Sequence, residues 1–186
     1  MRVALTLDAT DVCQATGTDR YDLHMAPAMV ERIEPARNHP PLRTLLANLN
    51  AHNSLFATFA CKVWTSAEAG STEPCIFASR VDVIFLSEAI NFGSGPLENL
   101  ARHLGDLLEK DPGDALRVEL RLASVELAGD TDGYCLRLLL FARGATREQA
   151  EVRWGLGLAR VQQALLFVAR TLRQKGDSAE ERITFS

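Results

Sequence analysis

The stretch that most constrains the fold is a β-hairpin predicted over residues 115–143. In its first half, apolar and charged residues alternate, which puts apolar side chains on one face of a strand and charges on the other; these are Leu116, Arg117, Val118, Glu119, Leu120, Arg121 and Leu122. Asp132-Gly133 then supplies residue types that tolerate the positive φ of a tight turn. The second strand, from Tyr134 to Ala142, is almost wholly apolar. A chain with this hairpin near its centre needs a sheet with one buried face.

The side chains of the hairpin also predict its register. With the turn at residues 130–133, Leu127 faces Leu136, so that apolar side chains pair across the strands. The apolar alternation slips by one position around residues 123–124, and we therefore predict a β-bulge there. This register leaves two large apolar residues of the second strand on the outer face of the sheet, Leu139 and Phe141. Such a face needs cover from a second layer or from a partner subunit.

The order of the predicted elements indicates an α+β fold. Residues 54–109 have the pattern of strand, strand and helix, and residues 115–174 repeat that order. Two successive β-β-α units predict one antiparallel sheet with the helices packed on one face. The last helix carries apolar residues at alternating spacings of four and three, a seam suited to packing on the sheet or on another helix; these are Trp154, Leu158, Val161, Leu165, Val168 and Leu172.

The whole chain, residues 1–186, is expected to form a single domain. Its core is predicted over residues 54–176, preceded by an N-terminal segment, residues 1–53, with a weak strand and a short helix. That helix is predicted over Pro27–Ile33, with the next proline ending it. Residues 177–186 are predicted to be a charged tail.

Composition is that of an ordinary globular protein, with 47% hydrophobic and 24% charged residues. The net charge of −4 gives no overall basic character, so nucleic acid is not an expected partner. The start of the chain becomes acidic at Asp8, too early for a signal peptide, and no apolar run approaches the length of a membrane span. We therefore expect a cytoplasmic protein without membrane contact.

The loop at residues 87–96 is the main candidate for a ligand site. A Gly-Ser-Gly turn before a helix predicted to begin at Pro96 leaves backbone N–H groups free, and the positive helix end favours an anion. We predict that a small anionic metabolite binds here, through Ser87, Glu88, Asn91, Gly93, Ser94 and Gly95. The loop lacks both the dinucleotide-binding and the P-loop fingerprint. The alternative interpretation is a helix cap with glycines for turning.

The histidines and cysteines predict neither a metal site nor a nucleophile. The four cysteines are scattered without a C-x-x-C pair, which favours reduced structural thiols. Two of them, Cys61 and Cys75, lie in apolar strands, which raises a thiol pKa. His39 and His52 flank one short helix and could approach each other, but they lack metal-ligand spacing. No metal and no cofactor are expected.

Three functions follow from these features. The first is a non-catalytic α+β protein that self-associates, with a homodimer favoured, because Leu139 and Phe141 need cover. The second is a small-molecule enzyme that uses Glu88 as general acid or base and Asn91 to hold the substrate. The third is an adaptor or chaperone-like protein that presents a sheet face to a partner chain.

Overall fold

The computed structural model describes residues 1–13, 22–109, 115–127 and 132–183. The strands in this part of the chain are β1 Arg2–Cys13, β2 Phe56–Ala67, β3 Cys75–Phe85, β4 Leu116–Glu126 and β5 Asp132–Gly144. The α-helices are α1 Glu34–Asn38, α2 Pro40–Leu49, α3 Ser94–Glu109 and α4 Arg147–Ile183, and short 3₁₀ helices cover Pro27–Arg32 and Glu88–Phe92. The predicted α+β class is confirmed.

The five strands form one sheet in the order β1-β4-β5-β3-β2. The pairs β4–β5, β5–β3 and β3–β2 are antiparallel, whereas β1 runs parallel to β4. The prediction of a purely antiparallel sheet was therefore wrong at this edge. Parallel neighbours need a long crossover, and two strands and three α-helices lie between β1 and β4 along the chain, which permits one. The alternation of apolar and charged residues within a strand does not indicate whether the neighbouring strand runs parallel or antiparallel to it.

The predicted hairpin is present, but its register and its bulge were wrong. Leu122 faces Leu136, and pairing between β4 and β5 is continuous through residues 123–124. The predicted bulge would have placed Val125 on the same face of the sheet as Leu122. Instead, Val125 lies on the opposite face, in a second apolar cluster with Cys135. Both faces of the sheet are buried at this end of the hairpin, so Leu122 and Val125 can each be buried, on opposite faces, without a bulge.

The main core lies between the sheet and the helices α2, α3 and α4, whose apolar stripes all join one cluster. Trp154 of α4 is fully buried there and donates a hydrogen bond from Nε1 to Oγ of Ser79 at 2.8 Å. The α4 seam is buried from Trp154 to Val168, but Leu172 is exposed. The last apolar residue of the seam therefore extends beyond the core.

The outer face of the sheet carries Leu139 and Phe141, as predicted, and both are half-buried. The ring of Phe141 contacts Trp64 edge-on, with 6.0 Å between ring centroids, and lies under the guanidinium of Arg117 at 5.2 Å. Side chains of the sheet itself therefore supply part of the cover that was expected from a partner.

The helix predicted over Pro27–Ile33 is present as a 3₁₀ helix, Pro27–Arg32. Helical structure resumes directly after it, and Pro35 lies in the first turn of α1, where the missing N–H of proline costs no hydrogen bond. At the other end of the chain, α4 continues to Ile183, so most of the predicted tail is helical. Gly176 lies inside this helix, where glycine costs only about 1 kcal/mol. No helix in the described residues combines the length and hydrophobicity needed to cross a membrane.

Candidate functional site

A groove of about 950 Å³ lies between α3 and the C-terminal half of α4. Its lining comes from residues within 54–55, 85–90, 96–107 and 167–172. The second of these segments overlaps the loop that was predicted to bind a ligand. The groove is therefore next to the predicted site, but most of it is built by the two helices.

The groove is lined by apolar side chains of α3 and α4 that the core does not fully bury. Leu97, Leu100 and Leu104 of α3 are buried against the sheet, and Leu107 on the flank of that stripe turns toward the groove. On α4, Phe167 lies beside the apolar seam and Leu172 at its end. These side chains are not fully buried in the core, and they line the space between the helices.

Four large apolar side chains around this groove stay exposed to solvent. Phe167 is 58% exposed and Leu172 is 41% exposed, and Leu86 and Ile90 from the opposite side are exposed as well. A contiguous exposed apolar surface of this kind is typical of a binding site, whereas scattered single residues are not.

Six of the lining residues are polar, and three of them, Asn99, His103 and Asp106, lie on α3. Nδ1 of His103 lies 2.7 Å from the backbone carbonyl oxygen of Asn99. Because that carbonyl can only accept, Nδ1 carries a proton, and Nε2 of a neutral ring is left as an acceptor. Asp106 adds a carboxylate, and the described lining residues include no Lys or Arg. The groove thus offers hydroxyl and amide groups, the acceptor of His103 and one negative charge, and its described lining provides no Lys or Arg side chain to pair with an anion.

Of the six predicted site residues, only Ser87 lines the groove. Asn91 is fully buried, and its amide is bonded to the backbone: Oδ1 accepts from N–H of Phe85 at 2.9 Å, and Nδ2 donates to the carbonyl of Phe85 at 2.8 Å. Asn91 thus ties the end of β3 to the following 3₁₀ helix. Glu88 is exposed and lies outside the lining. The two residues of the enzyme alternative are not brought to a common cleft.

The remaining predicted residues surround the start of α3, which begins at Ser94 and not at Pro96. Oγ of Ser94 donates to Oε1 of Glu98 at 2.8 Å, within the first turn. Gly93 has an ordinary extended backbone with φ of −114°, and a Cβ added there or at Gly95 would meet no atom within 4 Å. The arrangement resembles the helix-start interpretation of this loop more closely than the ligand site.

Sequence reasoning missed the contribution of α4 to this site. The sequence does show that Phe167 is a large apolar residue beside the apolar seam of α4. The sheet can bury the seam but not Phe167 as well. Which side of α4 remains open, however, depends on where α3 lies, and this is set by tertiary packing.

The described residues contain no cluster of three or more His, Cys, Asp or Glu side chains that could hold a metal ion. His39 pairs with Glu151 at 2.9 Å, whereas His52 stacks on His24 at 5.7 Å between centroids, so the two histidines flanking α2 do not meet. Burial raises the pKa of the Cys61 thiol to about 11, with nearby Arg80 opposing this shift. The Cys61 thiol is therefore protonated at neutral pH and a poor nucleophile.

Comparisons with protein-family models, with curated proteins and with solved structures found no match to this chain.

Proposed function

We propose that this protein is a non-catalytic binding protein that holds an apolar small molecule, uncharged or cationic, in the groove between α3 and α4. The observation that carries the proposal is the convergence of four exposed apolar side chains on one groove of about 950 Å³. Ligand sites in proteins are mostly apolar clefts of about 300–1,000 Å³ with a few polar groups that orient the ligand.

The polar groups of the groove indicate which ligands suit it. Asp106 and Nε2 of His103 accept hydrogen bonds, so a hydroxyl, amide or ammonium group on the ligand would find a partner. A carboxylate or phosphate would meet the Asp106 carboxylate without compensation. The small anionic metabolite predicted for the neighbouring loop stays a prediction, and the charge of the lining favours the uncharged or cationic ligand.

Replacing Phe167 with glutamate is expected to weaken binding of an uncharged apolar dye, Nile red, by at least about tenfold. The substitution removes an aromatic contact and places a carboxylate in the apolar lining, at a cost of roughly 1–3 kcal/mol. The measurement is dye fluorescence as a function of protein concentration. Met25→Glu is the matched control, because Met25 is an apolar side chain that is 78% exposed and lies outside the groove.

The control variant should bind Nile red as the wild type does. Equal losses in both variants would assign the dye to exposed apolar side chains in general, and an unchanged affinity in Phe167→Glu would exclude the groove as the binding site.

We also propose that the protein self-associates, through an exposed face of α4 and not through the outer face of the sheet. The outer face of the sheet carries several Lys and Arg side chains, so two copies of it would bring positive charges together. On α4, in contrast, Val152 and Leu156 are each 61% exposed and lie one helical turn apart. This apolar patch suits a second copy of the same helix, packed side by side.

We expect sedimentation velocity at tens of micromolar to give a dimer for the wild type. The double variant Val152→Glu/Leu156→Glu should sediment as a monomer, because it buries four carboxylates in a symmetric interface. A monomeric wild type, or a double variant that remains dimeric, would contradict self-association through α4.

A further inference from the structure

The outer face of the sheet carries a cluster of five cationic side chains around Leu139. Every strand from β2 to β5 contributes, and the members are Lys62, Arg80, Arg117, Arg121 and Arg137. Two cross-strand pairs join like charges, since Lys62 lies opposite Arg80 and Arg121 lies opposite Arg137. Like charges directly opposite each other destabilise a sheet, so folding alone does not favour this arrangement.

Two buried carboxylates hold the guanidinium groups of this cationic cluster in place. Asp82 lies 3.0 Å from Nε of Arg137 and 3.5 Å from Nε of Arg80. Glu119 accepts a hydrogen bond from Nε of Arg121 at 3.0 Å and another from Arg117. Lys62 adds an exposed ammonium group beside these guanidinium groups, on a chain whose net charge is −4.

A depression of about 460 Å³ lies over the cationic cluster. Its lining combines four of the five cations with Leu139 and the indole of Trp64. Trp64 packs edge-on against Phe141, with an angle of 83° between the rings, and this contact orients the indole. The depression thus places an aromatic side chain beside four positively charged side chains.

We propose that this depression binds a phosphorylated molecule with a planar ring, of the nucleotide class. Guanidinium and ammonium N–H groups form strong charge-assisted hydrogen bonds with phosphate oxygens. A base or similar ring can stack on the indole of Trp64, as bases do on aromatic side chains of other proteins. The two buried carboxylates then serve to position the arginines for the phosphate.

A single nucleotide suits this site better than a nucleic acid strand. The cations converge on one depression and do not form a track along which a backbone could run. The negative net charge of the chain also repels a long polyanion. The ligand is therefore expected to be small.

Titration with adenosine monophosphate, followed by tryptophan fluorescence, tests the proposal. The chain has two tryptophans, of which Trp64 lines the depression and Trp154 is fully buried in the core. We expect saturable quenching of Trp64, with an affinity at least about tenfold higher than for adenosine or for inorganic phosphate, since each contributes only one of the two contacts.

Calorimetric titration of two variants locates the site. Lys62→Gln should weaken adenosine monophosphate binding by about tenfold, the effect of one charge-assisted hydrogen bond. Arg170→Gln removes an exposed cation from α4, far from the sheet face, and should leave the affinity unchanged. Both side chains are exposed, so neither variant is expected to disturb folding.

Absence of saturable quenching, or equal affinities in the two variants, would overturn the proposal. Single-stranded oligo(dA) of increasing length provides a further arm. If its affinity exceeds that of adenosine monophosphate and rises with length, the face binds nucleic acid and the single-nucleotide assignment is wrong.

Discussion

Replacing Trp154 with alanine is expected to lower the free energy of unfolding by about 3–5 kcal/mol, the range for truncating a large buried aromatic residue. Trp154 is fully buried and packs on Phe77, with 4.9 Å between ring centroids, and on His39 at 5.6 Å. Its indole N–H donates a hydrogen bond to the hydroxyl of Ser79 on β3. The side chain therefore joins α4 to the sheet, and its loss leaves a cavity where the two layers meet.

Urea denaturation measures this effect, with the midpoint shifting and the slope unchanged. Trp154→Phe keeps most of the ring volume but leaves the buried Ser79 hydroxyl without its donor, so we expect a smaller loss of about 1–3 kcal/mol. Arg170→Ala, at an exposed position on the same helix outside the proposed dimer patch, should stay within about 0.5 kcal/mol of the wild type. If Trp154→Ala cost no more than Arg170→Ala, α4 would not be packed on the sheet as described.

Replacing Asp82 with leucine is expected to be comparably destabilising, by about 3–5 kcal/mol, because it leaves buried guanidinium charge without its partner. The side chain of Asp82 is 0% exposed and that of Arg137 is 9% exposed, and the two lie directly opposite each other on β3 and β5. Arg80 also depends on the same carboxylate. Removing one carboxylate therefore affects two cations at the centre of the sheet.

The double variant Asp82→Leu/Arg137→Leu separates a charge effect from a packing effect. Apolar side chains that replace both partners of a buried pair are often neutral or stabilising, so the double variant should recover at least half of the loss. Glu31→Gln is the exposed control, since its pair with Arg43 is open to solvent and worth at most about 1 kcal/mol. A double variant less stable than Asp82→Leu would show that the arginine stabilises the sheet by other contacts.

The fold class was predictable because it rests on local periodicity. The alternation in residues 116–122 and the seam from Trp154 to Leu172 each specify one buried face, and both elements are present. The register of the hairpin was not predictable, because Val125 and its neighbours are apolar on the face opposite Leu122. When both faces of a strand end are buried, alternation no longer distinguishes one register from another.

Features that depend on the pairing of distant segments of the chain could not be predicted from the sequence. The parallel pairing of β1 with β4 joins segments more than one hundred residues apart in sequence, and no local pattern specifies that direction. The cationic cluster likewise depends on the pairing of β3 with β5, which brings Arg80 beside Leu139. Net charge was used as an argument against nucleic acid as a partner, but it averages over a surface on which the charges are unevenly distributed.

The candidate site was only partly predictable for a related reason. Asn91 has the residue type of a ligand-binding side chain and of a backbone cap, and only its burial and bonding partners distinguish these roles. Phe167 was recognisable as surplus apolar surface, but the position of α3 determines that it faces a groove.

The most direct test of the groove as the binding site is a titration of the isotope-labelled protein with Nile red, followed through the assigned amide resonances. We expect saturable shifts concentrated in residues 54–55, 86–90, 96–107 and 167–172, which line the groove. Shifts confined to the strands β2 to β5, or no shifts at saturating dye, would contradict binding between α3 and α4.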